Sequence, residues 1–581
     1  MALLPPTVSG PISVFNSSVR VRGQNIGATV ALFVSGNPSA IGGGTASWSS
    51  QVFPLNKGIQ LTSGQTITAT QSQNGETSPP SPSGVAVQPR SATVGAVDCQ
   101  THIYQCGQSL FFVGLIPGAS VQVSVGGTVR GRGVSADGTL LVNLSAPTLP
   151  GDMLTVSQTV GGITGPALTL AQPDVPPLTA QGQLAAPTLA GPVYACQTAF
   201  PIGNIVAGAL VTLTQTGGAT TSSLFPNPTG MIVAPALVPG GSVTVQQTML
   251  TGCQFGGALS SPLAVTPTAP VPSPTIAGPL YNGGQYVQLS NLIPGAQIEI
   301  FQEGESLGTA TSFAPTQFFA VPALSHKKIV QATQQLCSNV SALSAGVKVG
   351  KAPALGKPSV EKPLVQCGAG VGVSNLQPGA VVYVYSTLLN APIGIAQATG
   401  SEMDIQVAPL LNPADSIYAR QQVGEQISNA SKSVPVAGLP NQGTPGIMTP
   451  VLASSQSVTV GNVIAGSRVD VFVNNVFRGS ATATSQSVDI SLSPPPLNLG
   501  DQLSVTETTC EGTTPAPRNV TVTGCQCTQA SKVPTSTPGT FLYTFNCTNT
   551  AGTTQPVQLQ GTDDTSALLQ AELLCGEEYG N

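Results

Sequence analysis

A glycine followed by a small residue, with apolar residues then at every second place, recurs six times in this chain. It stands at Gly27, Gly118, Gly208, Gly295, Gly379 and Gly466, as in Gly118-Ala-Ser-Val-Gln-Val and Gly295-Ala-Gln-Ile-Glu-Ile. The intervals are 91, 90, 87, 84 and 87 residues. A fixed period of this length constrains the whole fold, because each copy is one structural unit with a core of its own. The motif reads as a turn feeding a strand. Pro117, Pro294 and Pro378 precede their glycines, which fits Pro at the second and Gly at the third position of a turn. Alternation at period two then gives a strand with one buried face. Asn204, Asn291, Asn375 and Asn462 stand four residues before the glycine, where a side-chain bond to turn backbone is expected.

About forty residues later a second alternating run ends in Gln71, Gln158, Gln247, Gln334, Gln421 or Glu507. These residues either form a ladder of recognition groups or satisfy backbone groups at the strand end, and the second role is expected. A Ser/Gly-rich turn and a last Val-rich strand follow, as at Val85–Val87, Val347–Val349 and Val520–Val522.

Gly (66) and Pro (51) make roughly a fifth of the 581 residues, a level that raises disorder as a possibility. Hydrophobic residues at 41% and charged residues at only 7% argue against it and for turn-rich β structure. The 18 Lys and Arg form no basic stripe interleaved with aromatics, so nucleic acid is not an expected partner. A charge-poor surface interacts through hydroxyls, amides and apolar patches, which suits fibre packing or uncharged partners. No apolar run reaches the ~20 residues of a membrane span. The opening Met1-Ala-Leu-Leu-Pro-Pro has no basic region and no continuous apolar run, so no signal peptide is expected there.

Pro-rich stretches at 173–187, 267–274, 353–358 and 435–445 separate the copies. Such linkers are semi-rigid, so the sequence predicts extended neighbours and a rod on the order of 200 Å. The expected fold is all-β, a tandem array of about six Ig-like β-sandwich domains plus a small Cys-rich C-terminal β unit. The expected boundaries are 1–90, 91–173, 174–268, 269–351, 352–438 and 439–523 for the repeats and 524–581 for the cap. The pattern Gly-Ala-x-Val-x-Val, then Ala-Asp137-Gly138-Thr, then Leu-Thr-Val-Ser-Gln resembles the bacterial Ig-like repeats of surface and adhesion proteins. The resemblance covers roughly residues 1–523 and implies an extracellular or cell-surface setting. Many such relatives bind calcium through acidic residues at their joints. Here Asp174 and Glu361 stand alone, so calcium is not expected.

Cys106, Cys196 and Cys367 each lie twelve residues before an anchor glycine, while Cys253, Cys337 and Cys510 each follow the Gln or Glu anchor. Only the third repeat has both positions filled, which predicts a Cys196–Cys253 disulfide. Cys99 and Cys106 are expected to close a local loop, and a Cys337–Cys367 bond would lock the joint between repeats 4 and 5. Recurrence at turns favours disulfides over buried thiols, and hence an oxidising compartment. Cys525, Cys527, Cys547 and Cys575 crowd the last sixty residues without a nearby His, so a disulfide-stapled unit is expected there rather than a zinc site. The stretch 565–575 is expected to form one short amphipathic helix or a docking strand.

The two histidines, His102 and His326, fall in different repeats, and no phosphate loop, dinucleotide fingerprint or paired-His motif occurs. No enzyme activity, cofactor or metal is therefore expected. The leading reading is a structural extracellular stalk or fibre subunit that self-associates head to tail or meets a cell-surface or matrix partner. The alternatives are an adhesin holding a glycan or receptor through a terminal domain, and a phage or contractile-tail fibre component.

Overall fold

The computed structural model describes residues 2–579, apart from residues 92, 171–172, 177, 180, 250–254, 268–269, 353, 440–443, 454, 465, 484–485, 493–496, 511, 516–518, 524, 538 and 549–552. The chain divides into two compact units, Met1–Pro173 with Leu178–Leu439, and Asp174–Pro177 with Pro440–Asn581.

Repeat 1 gives the pattern of the first unit. Its strands are β1 (Thr7–Val8), β2 (Ile12–Ser13), β3 (Ser18–Arg22), β4 (Thr29–Val34), β5 (Asn37–Thr45), β6 (Ser50–Pro54), β7 (Thr66–Gln73), β8 (Glu76–Thr77) and β9 (Val85–Gln88). One sheet has the order β1-β3-β6 and the other β2-β9-β7-β4-β5, with β8 paired to β7. The chain thus crosses from one sheet to the other between β1 and β2. It then runs parallel to β9, with Ile12 opposite Val87. Repeats 3, 4 and 5 make the same parallel pairing at Val193–Val265, Leu280–Val349 and Leu364–Val436. Alternate residues of β4 are buried, and Val30 and Leu32 meet Ile67 and Ala69 of β7 in one core. This two-sheet arrangement is an Ig-like sandwich.

The six anchor glycines all take φ between +82° and +92°, a left-handed conformation that suits Gly at this tight turn. Four residues earlier the backbone is left-handed again. Asn204, Asn291, Asn375 and Asn462 have φ from +55° to +58°, and Gly23 (+75°) and Gly114 (+63°) fill the position in repeats 1 and 2. The Asn side chains reach beyond the turn. Each donates to a carbonyl eighteen residues upstream (Ala186, Ser273, Lys357, Thr444) at 2.6–3.0 Å, pinning the segment that enters the repeat.

Each Gln anchor bridges two buried backbone groups. In repeat 1, Gln71 accepts from the Asn25 N–H at 2.8 Å and donates to the Leu4 carbonyl at 2.8 Å. Gln158, Gln247, Gln334 and Gln421 make the equivalent pairs. The glutamines therefore satisfy backbone groups inside the fold.

The expectation of an extended chain does not hold within the first unit. Repeat 1 packs against repeats 2, 4 and 5. Leu3 bridges Thr309 of repeat 4, and Leu4, 1% exposed, sits in the core of that repeat. Gln88 donates to the Pro392 carbonyl of repeat 5 at 2.7 Å, and Ile395 packs on the core of repeat 1. Leu410 of repeat 5 donates through its N–H to the Gly114 carbonyl of repeat 2 at 3.2 Å. A Pro-rich linker stiffens its own few residues. Burying a side chain such as Leu4 is favourable by about 1.5–3 kcal/mol, enough to set how whole sandwiches dock.

At the joints between repeats 1 and 2, 3 and 4, and 4 and 5 the same two positions meet. The residue twelve before the anchor glycine of one repeat faces the residue three after the Gln anchor of the next. Phe15 lies over Gly161, Cys196 bonds Cys337, and Gly283 faces Gly424.

The second unit holds another sandwich and the cap. Its sheets are Gly446–Ile447, Ser457–Gly461 and Ser487–Ser491 on one side, and Val476–Thr482, Arg468–Val473, Gln502–Thr509, Gly512–Pro515 and Val520–Thr521 on the other. The cap is an antiparallel meander of Gln526–Pro534, Phe541–Thr548 and Thr554–Gly561, covered by helix α1 (Asp564–Tyr579). Cys525–Cys575 ties this small core to the helix and Cys527–Cys547 ties two strands, around buried Tyr543 and Phe545.

Candidate functional site

The disulfides depart from the expected pairings. Cys196 bonds Cys337 of the following repeat, so it is not joined to Cys253, which lies outside the described residues, and Cys337 is not joined to Cys367. Cys99 keeps its thiol, buried and 3.7 Å from the Thr101 carbonyl, so the expected Cys99–Cys106 loop is not closed. Cys106, Cys367 and Cys510 are disulfide-bonded. The reason is geometric. The two recurrent cysteine positions sit at opposite ends of one sandwich but come together across a joint.

His102 is buried edge-on against Tyr104 at 4.7 Å, whereas His326 is exposed in another repeat. Among the described residues no three His, Cys, Asp or Glu gather as a metal-holding group, and no helix is long and apolar enough to cross a membrane.

The feature with the geometry of a binding site is a cavity of about 750 Å³ where repeats 1, 2, 4 and 5 of the first unit meet. Its charged wall comes from β3 and the turn quoted above. Asp137, buried at 3% side-chain exposure, accepts from Arg20 Nε at 2.8 Å, and Arg22 lies 3.8 Å away. The Thr139 hydroxyl donates to the other Asp137 oxygen at 2.8 Å. Gly138 between them has φ +87°, and a Cβ there would lie 2.2 Å from the Ala408 side chain. Only glycine lets repeat 5 come this close.

The opposite wall is aromatic. Tyr286 of repeat 4 and Tyr383 of repeat 5 both reach the Ser83 hydroxyl of repeat 1, and all three residues line the cavity. Burial pushes the Tyr286 phenol up to about 12, with the Ser83 hydrogen bond working the other way. Tyr385 follows two residues after Tyr383 and so shares its sheet face, with ring centres 6.3 Å apart. Directly across the ladder stands Tyr418, stacked on Tyr385 at 4.9 Å with planes 5° apart. Gln317, Gln397 and Gln406 add carboxamides to the lining.

This aromatic group was not read from the sequence. Aromatics are only 4% of the chain, so composition gives no sign of a cluster. Spacing carried part of the signal, because Tyr383 and Tyr385 at i and i+2 must share one face of a strand. Tyr418 and Tyr286 join them only through the ladder and the docking of repeats.

No protein-family model matches the sequence, and no curated protein matches it. Among solved structures, the FN1-FN3 domains of chicken CNTN1 align at 11% identity over 45% of this chain and 99% of that one, with a TM-score of 0.15. Extracellular domains 3-5 of Drosophila OTK align at 12% identity over 43% and 96%, with a TM-score of 0.14. The BSP domain of a biofilm associated protein aligns at 10% identity over 75% and 96%, with a TM-score of 0.15. The sandwich assignment rests on strand order and core.

Proposed function

We propose that this chain is an extracellular structural or adhesive surface protein, serving as a stalk or fibre subunit built from Ig-like repeats. The observation that carries this reading is the covalent joint between repeats 3 and 4. Cys196–Cys337 links two sandwiches over 141 residues, and such bonds persist in oxidising surroundings. The low charge content, 7%, suits close contact with copies of itself or with an uncharged matrix. Because repeat 1 docks on repeats 4 and 5, the element that would assemble is the packed first unit rather than a string of separate domains.

Electron microscopy of native material without reducing agent, beside the purified chain, tests this. Polymers with a regular subunit repeat are the expected result. Isolated particles in both preparations would overturn the fibre reading. The tyrosine group beside the cavity favours a second reading, in which the chain is an adhesin that holds its partner within the first unit.

A further inference from the structure

We propose that the tyrosine-lined cavity of the first unit binds a neutral glycan. The inference draws on the extracellular reading above only for the setting in which such a ligand is met. Five of the chain's nine tyrosines lie in repeats 4 and 5, and four of these, Tyr286, Tyr383, Tyr385 and Tyr418, form one continuous group. In a chain with so few aromatic residues this concentration sets one surface apart from the rest. Sandwich cores here are built from Val, Leu, Ile and Ala, with Phe53 and Phe112 fully enclosed, whereas Tyr383, Tyr385 and Tyr418 are only partly buried.

The chemistry of the lining selects the ligand class. A pyranose presents an apolar C–H face and a rim of hydroxyls. The C–H face matches the rings of Tyr286 and Tyr383 on the lining, and the hydroxyls match phenols and carboxamides that both donate and accept. Gln317, Gln397 and Gln406 supply those carboxamides, and Ser83 a hydroxyl. An anionic polymer is disfavoured, since Arg22 on the lining lies 3.8 Å from the Asp137 carboxylate, which balances its charge. The volume, about 750 Å³, lies inside the range of about 300–1,000 Å³ usual for small-ligand sites.

The test is titration calorimetry of the full chain, unreduced, with cellohexaose, chitohexaose and maltohexaose, and with a heparin hexasaccharide as the charged probe. Binding of at least one neutral hexasaccharide is expected. Tyr286→Ala or Tyr383→Ala should weaken it at least about fivefold, the scale of one lost stacking contact, while Tyr383→Phe retains it. An unchanged thermal midpoint in the Ala variants shows that the fold is intact. Binding of none of the three neutral probes overturns the proposal, as does binding of the heparin fragment alone or neutral binding that ignores both Ala variants. A chain that binds a neutral hexasaccharide but forms no polymer keeps this inference and removes the fibre reading.

Discussion

Gly283 of repeat 4 and Gly424 of repeat 5 meet at the two positions that Cys196 and Cys337 occupy one joint earlier. A Cβ on Gly424 would lie 2.6 Å from the Gly283 carbonyl oxygen, and both backbones are left-handed, with φ of +77° and +57°. Cys196 and Cys337 adopt the same region, at +63° and +53°. One joint is therefore closed by a covalent bond and the next by backbone contact, in the same geometry.

The double variant Gly283→Cys, Gly424→Cys should form a disulfide on oxidation, because the preceding joint already holds cysteines in this conformation. Leaving glycine at positive φ costs about 1 kcal/mol or more per site, and a cross-link typically returns about 2–4 kcal/mol. Peptide mapping without reduction checks the bond. Two thiols that stay fully alkylatable would count against a shared joint. Gly424→Val alone should destabilise by about 1–3 kcal/mol through overlap.

Cys196→Ser should lower stability by about 2–5 kcal/mol, since the bond constrains a long unfolded loop. Denaturant melts of the variant and of the reduced parent should agree in the transition that covers repeats 3 and 4. A variant as stable as the oxidised parent would show that the staple adds nothing.

Glu507 stands where five repeats have Gln. Its Oε1 accepts from the Ile464 N–H and the Ser467 hydroxyl, both at 2.6 Å, while buried Oε2 has no partner. Burial, outweighing those two hydrogen bonds, raises its pKa above the usual carboxylate value. The folded state thus holds a proton that the unfolded chain releases first. Stability of the sixth repeat is expected to fall as pH rises from the unfolded value through the raised folded one. Glu507→Gln should remove that dependence and gain about 1–3 kcal/mol at neutral pH, because its amide can donate as the others do. Melts at pH 4 and pH 7 check this, and a variant that loses stability at pH 7 would sink it.

Asp137 joins repeats 1 and 2 through Arg20. A double-mutant cycle on Asp137→Asn and Arg20→Met should return a coupling of about 1–3 kcal/mol, more than an exposed pair gives. Coupling below about 0.5 kcal/mol would mean that this pair adds little beside the contacts around Phe15 and the Ser13 and Asn16 hydrogen bonds across the joint.

Local structure was legible because it is written at short range. The anchor glycines need left-handed φ, and Val30 and Leu32 need a buried face every second residue. Gln71 and its counterparts must satisfy backbone groups within their own repeat. Joints were not legible in the same way. The expected Cys196–Cys253 bond assumed that both cysteines face one another inside a sandwich, whereas the partner of Cys196 lies in the next repeat. The helix over 564–579 was left open between helix and strand, since one short apolar run supports either until a sheet is there to receive it.

The sequence by itself determined the repeat, its strands and the all-β class, because turns and alternation are local and recur six times. Only the tertiary structure decided that repeat 1 docks on repeats 4 and 5, and that Tyr286 meets Tyr383. Those outcomes depend on shape and burial at surfaces 97 residues or more apart, as with Leu4 entering the core of repeat 4, and no periodicity along the chain records them.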